Sequence, residues 1–169
     1  MVCVPPDLTW PWTVIAAGSI APAFTLPDTA GRMTSLEQFR GQPVLLVFLP
    51  AAFTPVCAAE LEQLGQIHTR EQADPATVLG VACDSVFTLR TWGEQAMVPT
   101  PLLSDFWPHG DICRAYEAFD ADRGLATRTS YLIDGDGLVR WSTQNPAGIA
   151  RDMNEHLTQV QMLTGRHGR

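Results

Sequence analysis

Solid apolar blocks and helical apolar stripes alternate along the chain. Val44-Leu45-Leu46-Val47-Phe48-Leu49 is a continuous apolar run behind Pro43. A run this short, rich in Val and Leu, predicts a central strand buried on both faces. Thr77-Val78-Leu79-Gly80-Val81-Ala82-Cys83 predicts a second one. Between them Leu61, Leu64 and Ile67 continue an apolar face that begins at Cys57, at the spacing of a helix. Thr54-Pro55 starts this helix, since threonine caps well and proline suits the first helical position. Asp74-Pro75 breaks the chain after it. Strand, helix and strand in this order predict a βαβ unit with parallel strands.

The flanking segments are shorter. Phe24–Leu26 and Met33–Leu36 surround Pro27-Asp28-Thr29-Ala30-Gly31 and predict a small N-terminal β-hairpin. Ser85 caps a helix through about Ala96, with Leu89 and Trp92 facing inward. Leu102–Asp105 reads as a short strand end, and the loop Phe106–Gly110 leads to a short helix near Ile112–Tyr116. Arg128–Ile133 and Leu138–Trp141 read as strands around Asp134-Gly135-Asp136-Gly137, a strong hairpin turn. Asn145-Pro146 is expected to open a last helix with Ile149, Met153, Leu157 and Val160 on one face. Residues 1–13, rich in Pro and Trp, read as an extension, and residues 14–165 as one domain. The class is α/β: a central mixed sheet flanked by helices, with an N-terminal β-hairpin.

Composition narrows the function. Of 169 residues 46% are hydrophobic and 17% charged, a globular balance and not a disordered one. The formal charge is −7 with no basic run, which gives no electrostatic footprint for nucleic acid or an anionic membrane. All eleven basic residues are Arg, so Schiff-base or other ε-amine chemistry is excluded. No apolar run approaches the roughly 20 residues of a membrane span, and no positive charge precedes Arg32 as a signal peptide needs. A cytoplasmic protein is expected.

The four cysteines, Cys3, Cys57, Cys83 and Cys113, form no C-x-x-C pair. Their spacing suits neither a disulfide framework nor a zinc site. The Asp-Gly-Asp-Gly turn lacks the closing Glu of a calcium loop. No metal and no cofactor are expected. His68, His109, His156 and His167 are scattered and read as surface or capping residues.

The informative stretch is Pro50-Ala51-Ala52-Phe53-Thr54-Pro55-Val56-Cys57. Cys57 falls in the first turn of a helix that follows a buried strand. Free backbone N–H groups and the helix dipole there favour a thiolate, the nucleophilic form. Thr54 sets a hydroxyl three residues before the sulfur, and Pro50 and Pro55 stiffen the loop. Such a pocket suits a small, oxygen-rich electrophile.

P-x-x-x-T-x-x-C is the active-site motif of the peroxiredoxins, and the chain resembles that family from Gly18-Ser19-Ile20-Ala21-Pro22-Ala23-Phe24 to the final helix. Pro101-Leu102-Leu103-Ser104-Asp105-Phe106-Trp107-Pro108-His109-Gly110 is similar to the matching loop of AhpE-type, one-cysteine peroxiredoxins of actinobacteria. The resemblance implies a thioredoxin-like fold and a thiol peroxidase acting on hydrogen peroxide and organic hydroperoxides. It makes Cys57 the peroxidatic cysteine, Thr54 the residue that hydrogen-bonds the peroxide, and Pro50 the cover of the sulfur. Arg128, heading Arg128-Thr129-Ser130-Tyr131-Leu132-Ile133, matches the family's distant arginine, a cation that favours the thiolate and stabilises the leaving oxygen. Glu60, one turn after Cys57, is the candidate to orient Arg128. Phe106 and Trp107 resemble the family's dimer contact and imply a homodimer or a larger homo-oligomer.

Attack on a hydroperoxide leaves Cys57 as a sulfenic acid, which a second thiol must reduce. No cysteine follows Cys113, and Glu62 occupies the position five residues after Cys57. An external thiol is therefore expected, which the AhpE resemblance makes mycothiol with mycoredoxin, or a thioredoxin-like protein. Resolution through Cys83, Cys113 or Cys3 is the alternative, and a non-catalytic binding or holdase module on the same scaffold is another. A thiol–disulfide oxidoreductase would need C-x-x-C where this chain has Thr54-Pro55-Val56-Cys57.

Overall fold

The structure, a computed structural model, describes residues 13–71 and 76–165. The expected extension (bar Thr13), Cys3, the Asp74-Pro75 break and His167 lie outside the described residues. In chain order come β1 (Thr25–Pro27), β2 (Met33–Ser35), a 3-10 turn (Leu36–Phe39), β3 (Val44–Phe48) and α1 (Pro55–Glu71). Then follow β4 (Thr77–Ala82), α2 (Val86–Ala96), β5 (Leu102–Ser104), α3 (Asp111–Ala115), β6 (Phe119–Asp120) and β7 (Leu125–Ala126). β8 (Arg128–Ile133), β9 (Val139–Asn145) and α4 (Met153–Thr164) close the chain.

Five strands make the central sheet in the order β5-β4-β3-β8-β9. β3, β4 and β5 run parallel, as the βαβ reading requires, β8 runs antiparallel to β3, and β9 antiparallel to β8. β1 and β2 form the expected hairpin, with Leu26 opposite Thr34. The solid apolar blocks serve both faces of the sheet. Val44, Leu46 and Phe48 of β3 enter one core, and Leu45, Val47 and Leu49 enter the other, which is the period-two geometry of a strand. The residues of β4 split likewise: Leu79, Val81 and the following Cys83 face one way, Val78 and Ala82 the other.

The two faces are covered unequally. Side chains of the three long helices, Leu61 and Leu64 of α1, Leu89 and Trp92 of α2, Met153 and Val160 of α4, all join the core that holds Cys57. The opposite core takes Leu26 of the hairpin, the 3-10 turn, Cys113 of α3 and two tyrosines, Tyr116 and Tyr131, whose rings meet at a 60° tilt.

The structure differs from the sequence expectations in three places. The last helix does not open at Asn145-Pro146. Residues 142–145 continue β9, where Gln144 and Asn145 pair with Thr129 and Arg128, and Ile149 stays exposed. α4 begins at Met153 instead, capped by the Asp152 carboxylate, which accepts from the Asn154 N–H. Second, β6 and β7 pair as a small hairpin that no apolar alternation announced. Third, His156 is neither a surface nor a capping residue: it is fully buried.

Candidate active site

β3 ends at Phe48 and the chain turns through Leu49–Thr54 into α1. Pro50 is buried in this turn. Phe53 takes a left-handed backbone, φ 64°, which costs a non-glycine residue about 1 kcal/mol. The turn is tied to the start of the next unit, since the Ala52 N–H donates to the Asp84 carboxylate at 3.0 Å. Thr54 supplies the first carbonyl of α1, accepting from the Ala58 N–H at 2.8 Å. Its hydroxyl donates to the Ala51 carbonyl at 2.9 Å, which leaves the hydroxyl oxygen able to accept. Cys57, the third residue of α1, is fully buried.

Arg128 reaches that sulfur from across the sheet. Val47 pairs with Ser130 in antiparallel register, so the start of β8 lies beside the turn that leaves β3. Both terminal nitrogens of Arg128 lie 3.6 Å from Cys57 Sγ. Arg128 Nη1 also donates to Glu60 Oε2 at 2.5 Å, while Nε and Nη2 donate to the Ala147 carbonyl at 3.0 and 2.7 Å. The guanidinium is thus held in the plane that presents two N–H groups to sulfur.

Glu60 is almost completely buried, 1% exposed. Burial pushes its carboxyl up, but hydrogen bonds and charge from Arg151, with the charge of Arg128, outweigh this and hold it below the usual carboxylate range. Arg151, fully enclosed, donates its backbone N–H and Nε to Glu60 Oε1 at 2.8 and 3.2 Å, and Nη2 to Oε2 at 2.7 Å. A buried carboxylate between two guanidiniums leaves one net positive charge beside the sulfur. Arg151 Nη1 goes on to the Thr129 carbonyl and to Ser130 Oγ at 2.8 and 2.9 Å. His156 completes the chain: Nδ1–H donates to the Asp152 carbonyl at 2.7 Å, so Nε2 accepts from the Ser130 hydroxyl at 2.8 Å. Burial pulls His156 down to about 4, so the ring is neutral near pH 7.

The fold therefore gathers Cys57, Thr54, Arg128 and Glu60, with Pro50 in the same turn. Phe106 and Trp107 stand apart, exposed on the loop between β5 and α3. The sequence reading missed Arg151, Ser130 and His156. One signal for Arg151 was present: Asp152-Met153-Asn154-Glu155 has the spacing of a helix-start capping box, and it would have set Arg151 just outside the helix. Of the other described histidines, His109 sits on the surface and donates to the Gly124 carbonyl at 2.6 Å, in line with expectation.

Comparison with known proteins identifies the family and the fold. The AhpC/TSA family model matches residues 17–142. Alkyl hydroperoxide reductase E of Mycobacterium tuberculosis is 36% identical over 152 residues, covering 89% of this chain and 99% of that protein. Peroxiredoxin 2 of Thermoplasma acidophilum is 30% identical over 152 residues, covering 86% of this chain and 75% of that one. The crystal structure of Enterococcus faecalis AhpC superposes with a TM-score of 0.80 at 23% identity, covering 90% of this chain and 96% of that one. Among the described residues no helix is long and apolar enough to cross a membrane. On this likeness of sequence and fold, the chain belongs to the AhpC/TSA family and is a peroxiredoxin, a thiol-dependent peroxidase.

Proposed function

We propose that Cys57 is the peroxidatic nucleophile. The observation that carries this is the paired contact of Arg128 with Cys57 Sγ, 3.6 Å from each terminal nitrogen. The Cys57 thiolate attacks the distal oxygen of a hydroperoxide, the O–O bond breaks, and the alcohol or water leaves after taking a proton. Cys57 is left as a sulfenic acid. Arg128 favours the thiolate and stabilises charge moving onto the leaving oxygen. Thr54 accepts from the hydroperoxide O–H, and Pro50 shields the sulfur from water. Glu60 and Arg151 act through Arg128 as positioning residues.

Reduction comes from an external thiol, of the mycothiol–mycoredoxin or thioredoxin-like kind. Supporting this, Cys83 and Cys113 pack in the core on the far side of the sheet from Cys57. Phe53, half exposed beside Thr54, favours hydroperoxides with an alkyl chain. Phe106 and Trp107, 52% and 82% exposed, form the contact of a homodimer.

The test is one equivalent of peroxide on the reduced protein and on Cys57→Ser, followed by non-reducing intact mass. Wild type gains one oxygen that a thiol then removes, and the variant does not. An unchanged wild-type mass would defeat the assignment.

A further inference from the structure

The peroxidase chemistry leaves Cys83 and Cys113 without a role. Their sulfurs lie 3.7 Å apart in the core opposite Cys57. They come from different elements: Cys83 follows β4, and Cys113 sits in α3, five residues long, after the loop that carries Phe106 and Trp107. The Cys113 backbone N–H donates to Asp105 Oδ2 at 2.8 Å. The hydrogen bond to Cys83, burial and the Asp105 charge push the Cys113 thiol far up, so Cys113 keeps its proton. Cys83 is 3% exposed and Cys113 0%, so the first reaction with oxidant is assigned to Cys83, the less enclosed residue. A disulfide needs a sulfur separation of about 2.05 Å, so the pair must close by about 1.7 Å from its 3.7 Å contact.

We infer that Cys83 and Cys113 are a second redox centre, a dithiol that hydroperoxide oxidises to an intramolecular disulfide without Cys57. The Cys83 sulfur attacks the distal oxygen, the O–O bond breaks, and the alcohol, or water from hydrogen peroxide, leaves with the Cys83 proton. The Cys113 sulfur then attacks the Cys83 sulfenic sulfur. The S–O bond breaks, and water leaves with the Cys113 proton. Two thiols lose two electrons to one O–O bond, giving one disulfide, one alcohol and one water. Among the described residues no arginine donates to either sulfur, whose side-chain contact is with the other, so this centre is much slower than one built like Cys57.

The experiment uses the full chain as Cys57→Ser, reduced and then exposed to excess hydrogen peroxide. This background removes the proposed peroxidatic sulfur, so the result does not depend on the peroxidase assignment. Expected is a loss of two hydrogens by non-reducing intact mass, a cross-linked peptide pair joining Cys83 to Cys113, and reversal by dithiothreitol. Cys57→Ser with Cys83→Ala loses this mass change. Wild type with Cys57 alkylated beforehand repeats the measurement without relying on a variant's folding. Three things would overturn the proposal: oxygen gained with no hydrogens lost, a bridge that includes Cys3, or all three thiols still titratable after prolonged exposure.

Discussion

Cys57 and Cys113 are buried to the same degree, 0% exposed, on opposite faces of one sheet. Their surroundings are opposite in kind. Cys57 faces a guanidinium, backed by a buried Glu60, a second arginine and a neutral histidine. Cys113 faces a second thiol and a carboxylate among apolar and tyrosine side chains. Burial alone therefore does not distinguish the two cysteines. The sign of the nearest fixed charge does, a cation favouring the thiolate at Cys57 and a carboxylate favouring the thiol at Cys113.

The sharpest test of that contrast is removal of the charge. Arg128→Met lowers kcat/KM for hydrogen peroxide by about 10²–10³-fold, the usual cost of a lost charge-stabilising donor, measured by stopped-flow peroxide consumption. A loss below tenfold would break the comparison.

Glu60→Gln comes next, and it reads stability. It leaves two buried guanidiniums, Arg128 and Arg151, without their carboxylate. Breaking a buried ion pair this way costs about 3–5 kcal/mol, which lowers Tm by about 10 °C in a chain of this size. Calorimetry checks it, and an unchanged Tm would mean that the network does not hold the site.

The two faces also set different pH limits. His156 has a folded value of about 4 against 6.5 unfolded, so between these values the unfolded chain binds more protons. Its stability contribution is complete above about pH 6.5 and falls away toward pH 4, by about 3 kcal/mol. Glu60, held below its ordinary 4.5, acts in the same direction at lower pH. On the other face, burial pushes Tyr131 from 10 to about 12 and Tyr116 up as well. A raised acid gives the opposite sign: the contribution is present below pH 10 and is lost as pH rises through 12, by about 3 kcal/mol for Tyr131. Urea midpoints across pH should fall at both ends, with His156→Gln flattening the acid limb and Tyr131→Phe the alkaline limb. Swapped effects would refute the division of labour.

The smallest effect is expected at the far face. Cys113→Ala removes a buried sulfur and costs about 1–2 kcal/mol of stability, but steady-state peroxidase activity stays within about twofold. A tenfold loss of activity would tie that face to turnover.

Legibility in the sequence follows range. Residues 44–49 and 77–83 are apolar throughout, so strand character and double burial could be read locally, and β3 and β4 stand where expected. Cys57 and Thr54 share one turn with Pro50 and Pro55, and their spacing was visible in eight consecutive residues. Arg128 needed a family resemblance, because nothing local distinguishes it from a surface arginine at a strand end. The second half of β9 is not legible, because Ser142-Thr143-Gln144-Asn145 carries no apolar alternation. Its strand character comes from pairing with β8 at the sheet edge.

By itself the sequence determined the α/β pattern, the parallel βαβ unit and the helix-start cysteine, because each depends on period, caps and turn residues within a few positions. Only the tertiary structure decided that Glu60 is a buried clamp between two arginines, that His156 is neutral and buried, and that Cys83 and Cys113 touch. Each depends on groups brought together from separate elements, 68 residues apart for Glu60 and Arg128 and 30 for the two sulfurs. The cost of burying a charge, or the reactivity of a thiol, is set by its neighbours in space.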